Sequence, residues 1–61
     1  MYRLTVKQCY VEGIGGYYEY EFKDLTDNTI IEKDSIDDVG QGMDKAVAQI
    51  RNILRRKGFI Q

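Results

Sequence analysis

The 61-residue chain has no histidine, no tryptophan and a single cysteine. Without imidazole there is no Ser-His or Cys-His nucleophile pair, no imidazole general base and almost no route to a transition-metal site. Cys9 alone can close no internal disulfide, so no covalent staple holds the fold. No apolar run approaches the ~20 residues of a membrane span. Met1-Tyr2-Arg3-Leu4-Thr5-Val6 lacks the charged-then-apolar order of a secretion signal. These absences set the expectation of a cytoplasmic chain with no membrane association, no cofactor, no metal site and no enzymatic activity. The length admits one small domain, which buries only about 60% of its unfolded surface. Hydrophobic residues at 43% and charged residues at 31% give the balance of a folded domain rather than a disordered tail.

The net charge of −1 hides a strong polarity. All ten acids lie between Glu12 and Asp44, where only Lys23 and Lys33 oppose them; the other cations, from Arg3 and Lys7 to Arg55, Arg56 and Lys57, lie outside. A basic face covering the whole domain is therefore not expected, although the C-terminal cluster is a local one.

Leu4 and Val6 alternate with Arg3, Thr5 and Lys7, and Tyr18, Tyr20 and Phe22 alternate with Glu19, Glu21 and Lys23. Both segments are patterned as strands with one apolar face. Gly13, Gly15 and Gly16 between them supply the backbone freedom of a hairpin turn. Asp24-Leu25-Thr26-Asp27-Asn28 is a second turn, and Thr29-Ile30-Ile31-Glu32-Lys33 a short third strand. From Asp34 onward the period changes: Ile36, Val39, Met43, Ala46, Ile50 and Ile53 recur at steps of three and four, widened by Val47 and Leu54. Ser35 and Asp38 resemble a capping box, which places Asp37 and Asp38 at the positive end of a helix, and Gly58 is a plausible stop. Gly40 and Gly42 interrupt this stripe, so a kink or a start near Met43 is the alternative to one continuous helix.

The pattern predicts strands over residues 2–11, 17–23 and 29–33 and a helix over 36–57. The fold class is α+β, a three-stranded antiparallel β-meander with one amphipathic helix on one sheet face. The expected core is Leu4, Val6, Tyr18, Tyr20, Phe22, Ile30 or Ile31, Ile36, Val39, Met43, Ala46, Val47, Ile50, Ile53 and Leu54. So small a core opposes the ordering entropy only narrowly, which makes a homodimer an attractive expectation.

Gly15-Gly16-Tyr17-Tyr18, the Asp24-Leu25 pair and Asp34-Ser35-Ile36-Asp37-Asp38-Val39 together resemble the N-terminal domain of HicB antitoxins. That family shows Gly-Gly-Tyr-Tyr, then Asp-Leu-Pro-Gly, then Gly-Asp-Thr-Leu-Glu-Glu-Ala ahead of an amphipathic helix. The correspondence runs from about Tyr2 to Leu54; here Thr26-Asp27 replaces the Pro-Gly, and Gly40 and Gly42 fall in the helix. The resemblance implies a β-β-β-α domain of partial ribonuclease-H-like topology that covers a small RNA-cleaving toxin of the HicA kind and often oligomerises. A ribonuclease-H-like nuclease needs converging carboxylates, one of them on the first strand. Leu4-Thr5-Val6-Lys7 offers none.

Several motifs have ordinary structural readings. Gly13-Ile14-Gly15-Gly16 joins two strands, whereas a phosphate-cradling loop joins a strand to a helix N-terminus. Glu32, Asp34, Asp37 and Asp38 offer oxygen ligands but no EF-hand spacing, and are expected to cap the helix. Cys9 shares a strand face with Lys7 but has no general base beside it.

Tyrosine is the anomaly: there are five in so short a chain. Exposed tyrosines give large contact area at little entropic cost. Tyr10 and Tyr17, with Glu19 and Glu21 on the solvent face, are the expected partner-binding residues of a module that sequesters a protein. A phage or mobile-element inhibitor presents the same chemistry. The alternative is nucleic-acid or nucleotide binding by Arg51, Arg55, Arg56 and Lys57, with tyrosines as stacking platforms.

Overall fold

Strand alternation carries the first half of the chain into one sheet. In a computed structural model describing residues 1–61, β1 (Tyr2–Val11), β2 (Gly15–Asp24) and β3 (Thr29–Asp37) pair antiparallel in the order β1-β2-β3, and α1 (Met43–Arg56) follows. This is the expected β-β-β-α architecture. The register sets Leu4 opposite Phe22 and Val6 opposite Tyr20, so these four side chains and Tyr18 share one face. α1 lays Ala46, Ile50 and Leu54 on that face, and these three with Tyr18, Tyr20 and Phe22 are the buried core. Leu4, Val6, Ile31, Ile36 and Ile60 pack around it, half-buried.

The two turns are built differently. Gly13 and Gly15 adopt φ of 86° and 112° around the first, where the Ile14 N–H donates to the Val11 carbonyl at 3.0 Å. In the second, the Asp24 carboxylate accepts the Thr26 N–H at 2.8 Å, the Asp27 carboxylate accepts the Thr29 N–H at 3.1 Å, and Asn28 takes φ of 60°. Side-chain acceptors and a left-handed asparagine thus turn the chain without Pro-Gly.

The boundary between sheet and helix differs from the expectation. β3 continues to Asp37 instead of ending at Lys33, and α1 begins at Met43 instead of Ile36. β2 also begins two residues early, at Gly15. Ile36 lies on a strand opposite Tyr18, and Ser35 pairs with Glu19, so no capping box forms. Gly40 and Gly42 take φ of 77° and 88°, left-handed values that end any helix attempting to pass. The alternative start near Met43 is the one observed. Val39 is consequently 75% exposed in the connecting loop rather than in the core, and Met43 is exposed at the helix start. Asp44, not Asp37 or Asp38, is the acid of the first turn. Val47 and Ile53 are half-buried.

A bulge decides between the two isoleucines. Phe22 pairs with Glu32 while Lys23 pairs with Ile30, leaving Ile31 unpaired between them. Ile31 packs on the core and Ile30 is exposed.

α1 runs back antiparallel to β3 and ends in a Schellman motif. Gly58 at φ 83° donates to the Arg55 carbonyl at 3.1 Å, and the Phe59 N–H donates to the Leu54 carbonyl at 3.0 Å. The tail then packs on the helix-side face of the sheet: the Phe59 ring lies 6.4 Å from that of Phe22, which also stacks with Tyr2 at 5.4 Å. Lys57 reaches Glu32 at 2.7 Å. No helix is long and apolar enough to cross a membrane.

Candidate functional site

Gly16 is where the hairpin and the loop after β3 meet. A β-carbon there would lie 3.1 Å from Oδ2 and 3.2 Å from Cβ of Asp38, so any other residue would have to push the two segments slightly apart. The Asp38 N–H donates to the Gly16 carbonyl at 3.1 Å, extending the β2-β3 ladder one step. The Asp38 carboxylate accepts the Gly40 N–H at 2.9 Å through Oδ1 and the Gln8 side-chain amide at 3.3 Å through Oδ2. Asp38 therefore fixes the loop rather than a helix N-terminus, and correcting the helix start corrects its role.

This closure shapes an open groove of about 680 Å³ at the hairpin end. Ile14, Tyr17, Ser35, Asp37, Asp38 and Val39 line it. Ile14 is 83% exposed, and with Val39 it forms a pair of solvated aliphatic side chains on two rigidly joined loops. Isolated exposed apolar residues are normal; two flanking a concave surface are the informative arrangement.

Of the expected partner-binding residues, Tyr17, Glu19 and Glu21 lie half-buried on β2, on the face that α1 leaves uncovered. Tyr17 pairs with Cys9 on one side and Asp37 on the other. Contact with the Cys9 thiol, then partial desolvation and Glu19, hold the Tyr17 phenol above its ordinary range. Glu19 faces Lys7, and Glu21 sits between Thr5 and Lys33. Tyr10 does not join them: it is 74% exposed, pairs with Gly16, and shares the helix-side face with Gln8 and Val6. The expected four-residue surface thus divides between two faces of the sheet. Ile14 and Val39 were missed as site residues. The signal available for Ile14 was a lone aliphatic among turn glycines; Val39 was absorbed into the helical stripe.

The acids named as possible ligands do not converge: no group of three or more such side chains is placed to hold a metal ion. Glu32 and Asp34 pair with Phe22 and Tyr20 on the helix side, and Asp37 pairs with Tyr17 on the other. At the far end, Arg51, Arg55 and Arg56 are exposed on α1. Arg55 donates to Asn52 at 2.6 Å, while Lys57 is held by Glu32, which raises its ammonium above the usual lysine range. Tyr2, the tyrosine beside Arg51, is stacked on Phe22. The sequence polarity becomes a spatial one along the 38 Å long axis. Glu12, Asp37, Asp38 and Asp44 outnumber Lys45 toward the hairpin end, and Arg3, Lys23, Arg55, Arg56 and Lys57 outnumber Asp24, Asp27 and Glu32 toward the other.

Comparison of the chain with family models, curated proteins and solved structures returned no match.

Proposed function

We propose that this chain is a non-enzymatic module that binds and sequesters a protein, in the manner of a HicB-like antitoxin acting on a small RNA-cleaving toxin. The observation that carries the reading is the groove at the hairpin end, lined by Ile14 and Val39 together with Asp37 and Asp38. A protein that handles RNA presents a positively charged working surface, because it must hold a polyanion. An acidic groove with two exposed aliphatic anchors matches such a surface in charge and adds apolar contact area. Gly15, Gly16 and Tyr17, three residues of the Gly-Gly-Tyr-Tyr segment that resembles the antitoxin family, line this groove.

Protein binding is favoured over nucleic-acid binding by the state of the basic end. Lys57 is engaged by Glu32, and Tyr2, the ring nearest Arg51, already stacks on Phe22, so the cluster has one cation committed and its nearest aromatic partly covered.

The test is titration of the purified chain into a HicA-like toxin with RNA cleavage as the readout. Cleavage is expected to fall as the chain approaches equimolar ratio. Ile14→Ser with Val39→Ser should weaken inhibition at least about tenfold, the loss of roughly 1.4 kcal/mol. Undiminished cleavage at excess chain refutes the reading.

A further inference from the structure

The two edges of the sheet are not alike. β3 is interrupted by the bulge at Ile31 and carries Glu32, Lys33 and Asp34 in succession, features that discourage a further strand from pairing. β1 has no bulge, and its two charges, Arg3 and Lys7, stand apart. It pairs with β2 without interruption over ten residues. The Leu25 N–H donates to the Met1 carbonyl at 2.9 Å, so in the alternation of an antiparallel ladder the odd residues of β1 address β2. The even residues, Tyr2, Leu4, Val6, Gln8 and Tyr10, therefore turn their backbone N–H and C=O groups to the open edge. None of the five is charged.

We propose that β1 pairs antiparallel with β1 of a second copy about a two-fold axis at Val6, joining two sheets into one of six strands. A two-fold normal to the sheet keeps both helices on one side and pairs even residues with even. Among such alignments, charge selects the register. One that sets Tyr2 opposite Gln8 puts Arg3 against Lys7 in both halves. One that sets Leu4 opposite Tyr10 puts Lys7 against Lys7. Centring on Val6 avoids both, because Arg3 meets Cys9 and Thr5 meets Lys7.

That register also has the longest overlap, from Tyr2 to Tyr10. It sets each exposed Tyr2 against an exposed Tyr10, a cross-strand aromatic pair on each side of the axis. Half-buried Val6 meets its own copy, and Leu4 meets Gln8. The antiparallel arrangement lays the acidic end of one copy beside the basic end of the other. The groove beside Tyr17 and β3 stays open in each copy, so the pairing is independent of the proposed partner.

Sedimentation of the whole chain and register-specific disulfide formation test this together. The chain is expected to sediment at twice its 7.1 kDa mass. Arg3→Cys faces the native Cys9 of the other copy across a pair of non-hydrogen-bonded residues, with Cα atoms about 4.5 Å apart, inside disulfide range. Within one strand the same residues are about 20 Å apart and cannot bridge. Mild oxidation of Arg3→Cys should convert monomer into a covalent dimer linked from position 3 to Cys9, while Thr5→Cys, opposite Lys7, stays unlinked. A wild-type chain that sediments as monomer at millimolar concentration overturns the proposal, as does a Thr5→Cys dimer forming in preference to the Arg3→Cys one.

Discussion

Cβ of Asp38 crowds the space that a side chain on Gly16 would need, 3.2 Å from the position of its first carbon. Gly16→Ala should therefore destabilise the fold by about 1–3 kcal/mol through overpacking. The cost should shrink when Asp38→Gly is combined with it, a coupling that a double-mutant cycle in urea measures directly. Additive effects of the two changes would mean that the hairpin and the loop are not in contact.

Alkaline pH should unfold the domain through its tyrosines. Burial first, then the carboxylates of Asp38 and Asp34 respectively, raises Tyr18 and Tyr20 above the ordinary 10.0, and Cys9 does most to raise Tyr17. The folded state thus favours the neutral phenols. Their stabilisation is complete below the unfolded value and is lost as pH climbs through the higher folded values. Phenolate absorbance from these three should rise together with the loss of the far-ultraviolet dichroism. Ionisation of all three well before unfolding would contradict their placement.

The helix start can be checked by a pair of truncations. Ile50→Ala removes a fully buried side chain and should cost about 2–5 kcal/mol, enough to unfold much of so small a domain. Val39→Ala lies in the exposed loop and should stay within about 0.5 kcal/mol. A large loss at Val39 would restore the longer helix.

Gly58→Ala should cost about 1 kcal/mol, because φ of 83° crowds any β-carbon while the space around it is open. Thermal melts would show a lowered midpoint with an unchanged native spectrum. Equal stability would argue against the left-handed cap.

The sheet face was legible in the sequence because Tyr18, Tyr20 and Phe22 alternate cleanly against Glu19, Glu21 and Lys23, and β2 is covered by only one helix. β3 was legible only as far as Lys33, because its helix-side positions hold Glu32 and Asp34, side chains that reach solvent past an edge strand and so carry no apolar alternation into Ser35-Ile36-Asp37. Ile36 and Val39 then fell by coincidence on the phase of the true helix. Gly40-Gln41-Gly42 was the stronger local signal: two left-handed glycines outweigh a stripe that two residues extend. Tyr10 and Tyr17 could be recognised as surface aromatics, but the face each occupies depends on strand parity relative to Gly16. Asp38 reads as a cap in one dimension, yet its carboxylate works across the sheet on Gln8 and on the loop at Gly40.

Each element of this fold lies beside the one before it in sequence, and the helix comes last. Such neighbour-to-neighbour connectivity needs few long loops to close, so folding should be fast once the chain is complete. During synthesis the order has another effect. The meander leaves the ribosome with Tyr18, Tyr20 and Phe22 uncovered, and they stay wet until Ala46, Ile50 and Leu54 emerge to roof them. The nascent chain passes through a sticky interval of fixed length, during which chaperones and proteases meet it first.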